Sequence, residues 1–146
     1  MSSPRLNPYA PPAYNGLSGD YPYGFVDVDH TYVYQVVLLA SQMLRDQQQP
    51  IDTDADFVLR AIQLTSMTGV FAVRFSDSQG YYLSNGMLRN AIFLVGTVPV
   101  PFPLFPELVF PAGGRVGIDI QDLSVAGNTV ELAFRGVKRY RLPAGA

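Results

Sequence analysis

The sequence predicts an all-β protein, an antiparallel β-sandwich of jelly-roll-like type with an extended N-terminal arm. Three observations carry this prediction. Several runs alternate apolar and polar residues with a period of two. Turn-forming residues separate those runs at short spacing. The first 24 residues are crowded with proline and tyrosine, unlike the rest. The predicted division is an arm over residues 1–24 and one sandwich domain over 25–146.

The arm holds Pro4, Pro8, Pro11, Pro12 and Pro22, five of the twelve prolines, with Tyr9, Tyr14, Tyr21 and Tyr23, four of the nine tyrosines. Proline removes backbone donors and blocks a regular helix or a central strand. A solvated linker has little use for four tyrosines, whose rings gain by burial. The segment therefore reads as an extended chain lying on a surface, either that of its own domain or that of a neighbouring subunit.

Strands follow. Phe71, Val73 and Phe75 alternate with Ala72, Arg74 and Ser76. Val116, Ile118 and Ile120 alternate with Gly117, Asp119 and Gln121, and Val130, Leu132 and Phe134 with Glu131, Ala133 and Arg135. Period-two alternation puts one set inward and the other outward. The runs 57–64 and 91–95 are apolar on both faces, as central sandwich strands are. Thr68-Gly69, Ser78-Gln79-Gly80, Asn85-Gly86, Ala112-Gly113-Gly114 and Gly127-Asn128 supply the turns. Asn85-Gly86 is the strongest hairpin candidate.

Two segments are harder to place. Val33, Val36, Val37, Ala40, Met43 and Leu44 fit a helical stripe, yet Tyr32-Val33-Tyr34 and Val36-Val37 are β-favouring types. A strand over 33–44 is expected, running into a turn near 47–50. Residues 99–111 interleave Pro99, Pro101, Pro103, Pro106 and Pro111 with Phe102, Leu104, Phe105 and Phe110. This reads as an apolar loop that cannot pair as a central strand. It either caps one end of the sandwich or meets another subunit.

Composition bounds the function. Of 146 residues, 48% are apolar and only 15% charged, against roughly 25% charged in a typical domain. That balance favours an oligomer or assembly member whose apolar surface other chains cover. A formal charge of −2 argues against nucleic acid as the main partner. The absence of cysteine excludes disulfide and thiolate chemistry. No apolar run reaches the ~20 residues of a membrane span. Met1-Ser2-Ser3-Pro4 lacks the features of a signal peptide.

No catalytic motif emerges, and no enzymatic activity, cofactor or metal is expected. His30, the single histidine, lies between Asp27 and Asp29 and reads as a loop histidine; on an extended chain the two carboxylates face away from it. Asp52, Asp54 and Asp56 match the first three ligand positions of a calcium loop, but Phe57 and Gln63 occupy the places of its glycine and glutamate. The expected role is a polar turn bonding local backbone N–H groups. Arg135, Lys138, Arg139 and Arg141 form a basic stripe, read as a solvated face that guards an edge strand, or as a contact with an acidic neighbour.

Asp54-Ala55-Asp56-Phe57-Val58-Leu59-Arg60, the stretch from Phe110-Pro111-Ala112-Gly113-Gly114 to Ile118-Asp119-Ile120, and Asn128-Thr129-Val130 through Val137-Lys138-Arg139 carry a resemblance. Over a little more than half the chain, the sequence resembles small structural proteins of tailed-bacteriophage virions. The resemblance implies a capsid cement (decoration) or minor head protein, made in the host cytoplasm and located in the virion. Its implied partners are the major capsid protein or other virion subunits, and further copies of itself as a dimer or trimer. The expected contact residues, from composition, are Tyr9, Tyr14, Tyr21 and Tyr23 of the arm with Phe102, Leu104, Phe105 and Phe110 of the loop. A neck, tail or baseplate component is the alternative in the same class. A carbohydrate- or receptor-binding sandwich is the alternative in another, with Tyr81-Tyr82 as its adjacent aromatics but no tryptophan.

Overall fold

The computed structural model describes residues 21–144. Its strands are β1 (Phe25–Leu38), β2 (Met43–Pro50), β3 (Asp56–Met67), β4 (Phe71–Ser76), β5 (Leu88–Arg89), β6 (Leu94–Val95), β7 (Val98–Pro99), β8 (Phe102–Phe110), β9 (Arg115–Asp122) and β10 (Asn128–Arg141). Sheet one has the order β1-β10-β3-β8 and sheet two the order β2-β9-β4-β5, with β6 and β7 as a small ribbon. All pairings are antiparallel. β4 pairs with β5, β3 with β8, β2 with β9 and β1 with β10, so one long double ribbon wraps alternately into the two sheets. That wrap is the jelly-roll form of a sandwich.

The alternating runs do what their period requires. Phe71, Val73, Phe75, Val116, Ile118, Ile120, Val130, Leu132 and Phe134 all lie in the core between the sheets. Phe75 meets Phe134 edge-on across the sheets, with ring centroids 5.6 Å apart. β3 is central, flanked by β10 and β8, which explains why Phe57, Val58 and Leu59 are all fully buried. The inner two belong to the main core. Val58 faces outward and joins Val109 and Val137 in a small second cluster.

Several expectations are corrected. The chain turns at 39–42, not at 47–50; Gln47–Pro50 belongs to β2. Residues 102–110 form a strand, not a loop, and β8 sits at the edge of sheet one, where proline is tolerated. Residues 90–93 form a 3-10 helix, so the run 91–95 is not a central strand. Asn85-Gly86 lies in a bend; the tight reversal is at 77–80, where Gly80 has φ +89° and the Asp77 carboxylate accepts the N–H groups of Gln79 and Tyr81. His30 stands on β1, not in a loop, with its ring edge-on to Tyr32 at 4.5 Å.

The basic stripe is also corrected. β10 is central, not an edge, and Lys138 and Arg139 are both 9% exposed. Successive residues of a strand face opposite ways. Lys138 therefore goes to the end of the core, and Arg139 to the outer face of sheet one. Each is neutralised within the chain, by Asp52 and Asp54 in one case and by Asp27 in the other. Arg135 and Arg141 remain exposed.

Candidate functional site

The six expected contact residues that are described do not form a single cluster. Tyr9 and Tyr14 lie outside the described residues. The Tyr21 hydroxyl donates to Asp56, and its ring meets Phe25 edge-on at 5.5 Å, with the Arg141 guanidinium 5.7 Å away. The end of the arm therefore lies on its own domain at this point. On β8, Phe110 is fully buried, while Phe102 and Leu104 pack against the core. These three are structural because β8 directs one face inward. Among the described contact residues, only Tyr23, at 59% exposure, and Phe105, at 90%, present large apolar surface.

The would-be calcium turn has a different occupant. The Lys138 ammonium donates to Asp52 at 2.8 Å and to Asp54 at 3.1 Å. Tyr140 donates to Asp54 at 2.7 Å, and the Asp52 N–H donates to the Tyr32 hydroxyl at 3.0 Å. Asp56 points elsewhere, accepting from the Ala112 N–H. The bonds are thus long-range, not local as the sequence suggests. Hydrogen bonding by Lys138 holds Asp52 below the usual carboxylate range, and that of Tyr140 and then Lys138 does the same for Asp54. Among the described residues no group of three or more His, Cys, Asp or Glu is arranged to hold a metal ion.

The four edges of the two sheets differ in a way that bears on function. An exposed strand edge is a template for another chain, and folded proteins guard it with proline, charge, bulges or shortness. β8 carries Pro103 and Pro106 and a register break opposite Leu59 and Ala61. β2 is broken between Leu44 and Gln47, carries Arg45 and Asp46 there, and ends at Pro50. β5 is two residues long. Apart from two carboxylates near its start, β1 has none of these devices. It runs 14 residues in unbroken register with β10, contains no proline or lysine, and has its charges, Asp27 and Asp29, in its first half. Among the described residues nothing pairs with its other edge. Its exposed side chains include Phe25, Val26, Val28, Val33 and Val37.

A second feature lies on the outer face of sheet two, a polar groove of about 250 Å³ over Gly117, Ser76, Gln48 and Tyr82. Asp119 lies beneath one end, 3% exposed. Its carboxylate accepts the Asp46 N–H at 2.9 Å, the Tyr82 hydroxyl at 2.9 Å and the Arg74 guanidinium at 3.3 Å. Burial opposes ionisation of Asp119, but these three donors together hold it below the usual range. Arg74 also lies over the Tyr82 ring, 3.5 Å from its centroid. The loop bearing Tyr82 is thereby fixed to sheet two.

The sequence offers Tyr81-Tyr82 only as an adjacent aromatic pair on a loop or edge and does not reveal the groove beside Tyr82. The available signal was Gly117, an isolated glycine within a strand pattern, which marks close approach of another group. Nor does the sequence reveal the open edge of β1, because edge and centre are properties of strand order. No protein-family model matches the chain, and no curated protein matches it.

Proposed function

We propose that the chain is a structural subunit of a virion, a capsid cement or decoration protein, that assembles through the open edge of β1. The observation that carries this reading is the contrast among edges: three are guarded by proline, a register break or shortness, and β1 by none of these. Among the described residues this 14-residue edge has no partner strand, so it offers a row of backbone donors and acceptors that β-augmentation by another chain satisfies. The low charged fraction and the exposed Phe105 support burial of further surface in an assembly. The resemblance to tailed-phage virion proteins supports the shell as the setting.

The first occupant of the edge is a second copy of the chain. Antiparallel pairing about a two-fold axis at Val33 sets Asp29 opposite Val37 and Asp27 opposite Leu39, so the carboxylates of the two copies stand at opposite ends. Parallel pairing stacks them against each other, which costs stability. The resulting dimer then presents its remaining surface, including Phe105 and the arm, to the major capsid protein. Repetition of modest contacts around a shell gives retention through multivalency.

The shell assignment is tested by fractionating virus particles on a density gradient and probing for the chain, with electron microscopy locating it. Density distributed over the head surface is the expected result. Density confined to one vertex or to the tail replaces cement with a neck or tail role, and absence from particles overturns the virion reading. Deleting residues 1–24 is expected to lower particle retention; unchanged retention removes the arm from the contact.

A further inference from the structure

The groove on sheet two is built, not incidental. Gln48, Gly117, Ser76 and Tyr82 stand opposite one another in a row across β2, β9, β4 and the bridge at Tyr82. Directly opposed residues of antiparallel strands project from the same face. The row therefore has an amide at one end, an aromatic ring at the other, and a floor left low by a glycine. A Cβ on Gly117 would overlap the Ser76 hydroxyl, so the glycine is what lets that hydroxyl lie low over the strand at the floor of the groove.

The polar groups divide into two sets. Asp119, the Tyr82 hydroxyl and the terminal nitrogen of Arg74 bond one another and fix the frame. Among the described residues, the side chains of Gln48, Ser76 and Arg115 make no hydrogen bond of their own. The groove thus offers a rigid ring plus unengaged donors and acceptors of mixed type. A ligand site needs this combination of an orienting surface and a few polar contacts. Arg74 is already paired with Asp119, so an anion such as phosphate has only Arg115 to neutralise it with Asp46 also lining the groove, while a purely apolar ligand leaves the polar groups unpaired.

We propose that this groove is a saccharide-binding subsite. One sugar ring lays its C–H face on the exposed side of Tyr82, and its hydroxyls pair with the Gln48 amide, the Ser76 hydroxyl and the Arg115 guanidinium. Because Tyr82 is held by Asp119 and Arg74 before any ligand arrives, little side-chain ordering opposes binding. The inference is independent of assembly through β1, whose edge belongs to the other sheet. A dimer carries two such grooves, which raises avidity for a repeated glycan.

The test uses the full chain. Saturation-transfer NMR against glucose, galactose, mannose, N-acetylglucosamine and sialic acid is followed by a glycan array of longer oligosaccharides. The expected result is binding of at least one saccharide, weakened roughly tenfold or more, the scale of one lost aromatic contact, in Tyr82→Leu. Gly117→Ala, which displaces the Ser76 hydroxyl, and Gln48→Ala are expected to weaken the same ligand. Thermal melting verifies that each variant is folded; Gly117→Ala and Gln48→Ala suffice if Tyr82→Leu is not. No binding across both panels, or binding indifferent to Gly117→Ala and Gln48→Ala, overturns the proposal.

Discussion

Asp27 and Arg139 face each other across β1 and β10 as a two-pronged ion pair, with Nε and Nη2 of the guanidinium each 2.9 Å from a carboxylate oxygen. Arg139 is 10% exposed and Asp27 24% in their side chains, so the pair is shielded from water on most sides. The Phe25 ring covers the guanidinium at 4.0 Å. Removing one member leaves the other charge buried without its partner. Asp27→Ala is therefore expected to destabilise the fold by about 2–4 kcal/mol, read as a shift in the urea midpoint. A loss within about 0.5 kcal/mol, the range of an exposed pair, contradicts this account of the site.

Stability is expected to fall on the acid side. The hydrogen bond to Arg139 lowers the pKa of Asp27. Asp119 and Asp122 are lowered despite burial, by the N–H and O–H groups that donate to them. A carboxyl whose folded pKa lies below its unfolded value contributes fully above the unfolded value and loses that contribution as pH falls through the folded one. The ordinary value is 3.8, so unfolding midpoints are expected to hold near neutrality and to drop below about pH 4.

The alkaline side has its own limit. Hydrogen bonding to Asp52 raises the Lys138 pKa above its ordinary 10.5, and burial pushes the Tyr34 hydroxyl up to about 12. Both groups stabilise fully below their unfolded pKa values and lose that effect as pH rises beyond them. Unfolding midpoints measured across pH are expected to decline above about pH 10 and to decline less steeply in Tyr34→Phe. An equally steep decline in that variant removes Tyr34 from the explanation.

Asn128 staples the loop between β3 and β4. Its Oδ1 accepts the N–H groups of Thr68 and Gly69 at 3.0 and 2.9 Å, and its Nδ2 donates to the carbonyls of Gly69 and Val70 at 2.7 and 3.2 Å. The residue is 4% exposed, and although the Thr68 N–H also reaches the Thr129 carbonyl, truncation removes the partners of the half-buried Gly69 N–H and carbonyl. Asn128→Ala is expected to cost about 1–3 kcal/mol. Asn128→Asp keeps the acceptor but turns a carboxylate oxygen toward two carbonyls. It is expected to melt below the wild type at pH 7, and equal melting temperatures dispose of the staple.

The sequence made the inner strands legible and the edges obscure, for physical reasons. Runs such as 130–134 carry a period of two because one face is dry and the other wet. β2 was missed because an edge strand wet on much of its surface reads Arg45-Asp46-Gln47-Gln48-Gln49-Pro50, indistinguishable from a turn. β8 was missed because its prolines exclude a central strand while leaving an edge strand open. The five-residue apolar run at 91–95 has too few positions to separate strand from helix. Lys138 and Arg139 read as solvated because their partners, Asp52, Asp54 and Asp27, are 84 to 112 residues away in the chain. Among the expected contact residues, Phe105 and Phe110 are chemically alike in sequence; only the direction each faces on β8 separates an exposed ring from a core one.

Lysine on an edge strand is the guard that β1 lacks. Val33→Lys combined with Val37→Lys places two such guards where the side chains are already 54% and 69% exposed. The double variant is expected to fold with nearly unchanged melting of the isolated subunit and to lose self-association. Retained association at unchanged affinity moves the interface away from β1.

Sedimentation equilibrium of the purified wild-type chain over a dilution series measures assembly through β1 most directly. The expected mass is twice the 16.0 kDa of one chain, falling to one chain in the Val33→Lys, Val37→Lys variant. A wild-type mass of 16.0 kDa at every concentration contradicts pairing of two copies along this edge.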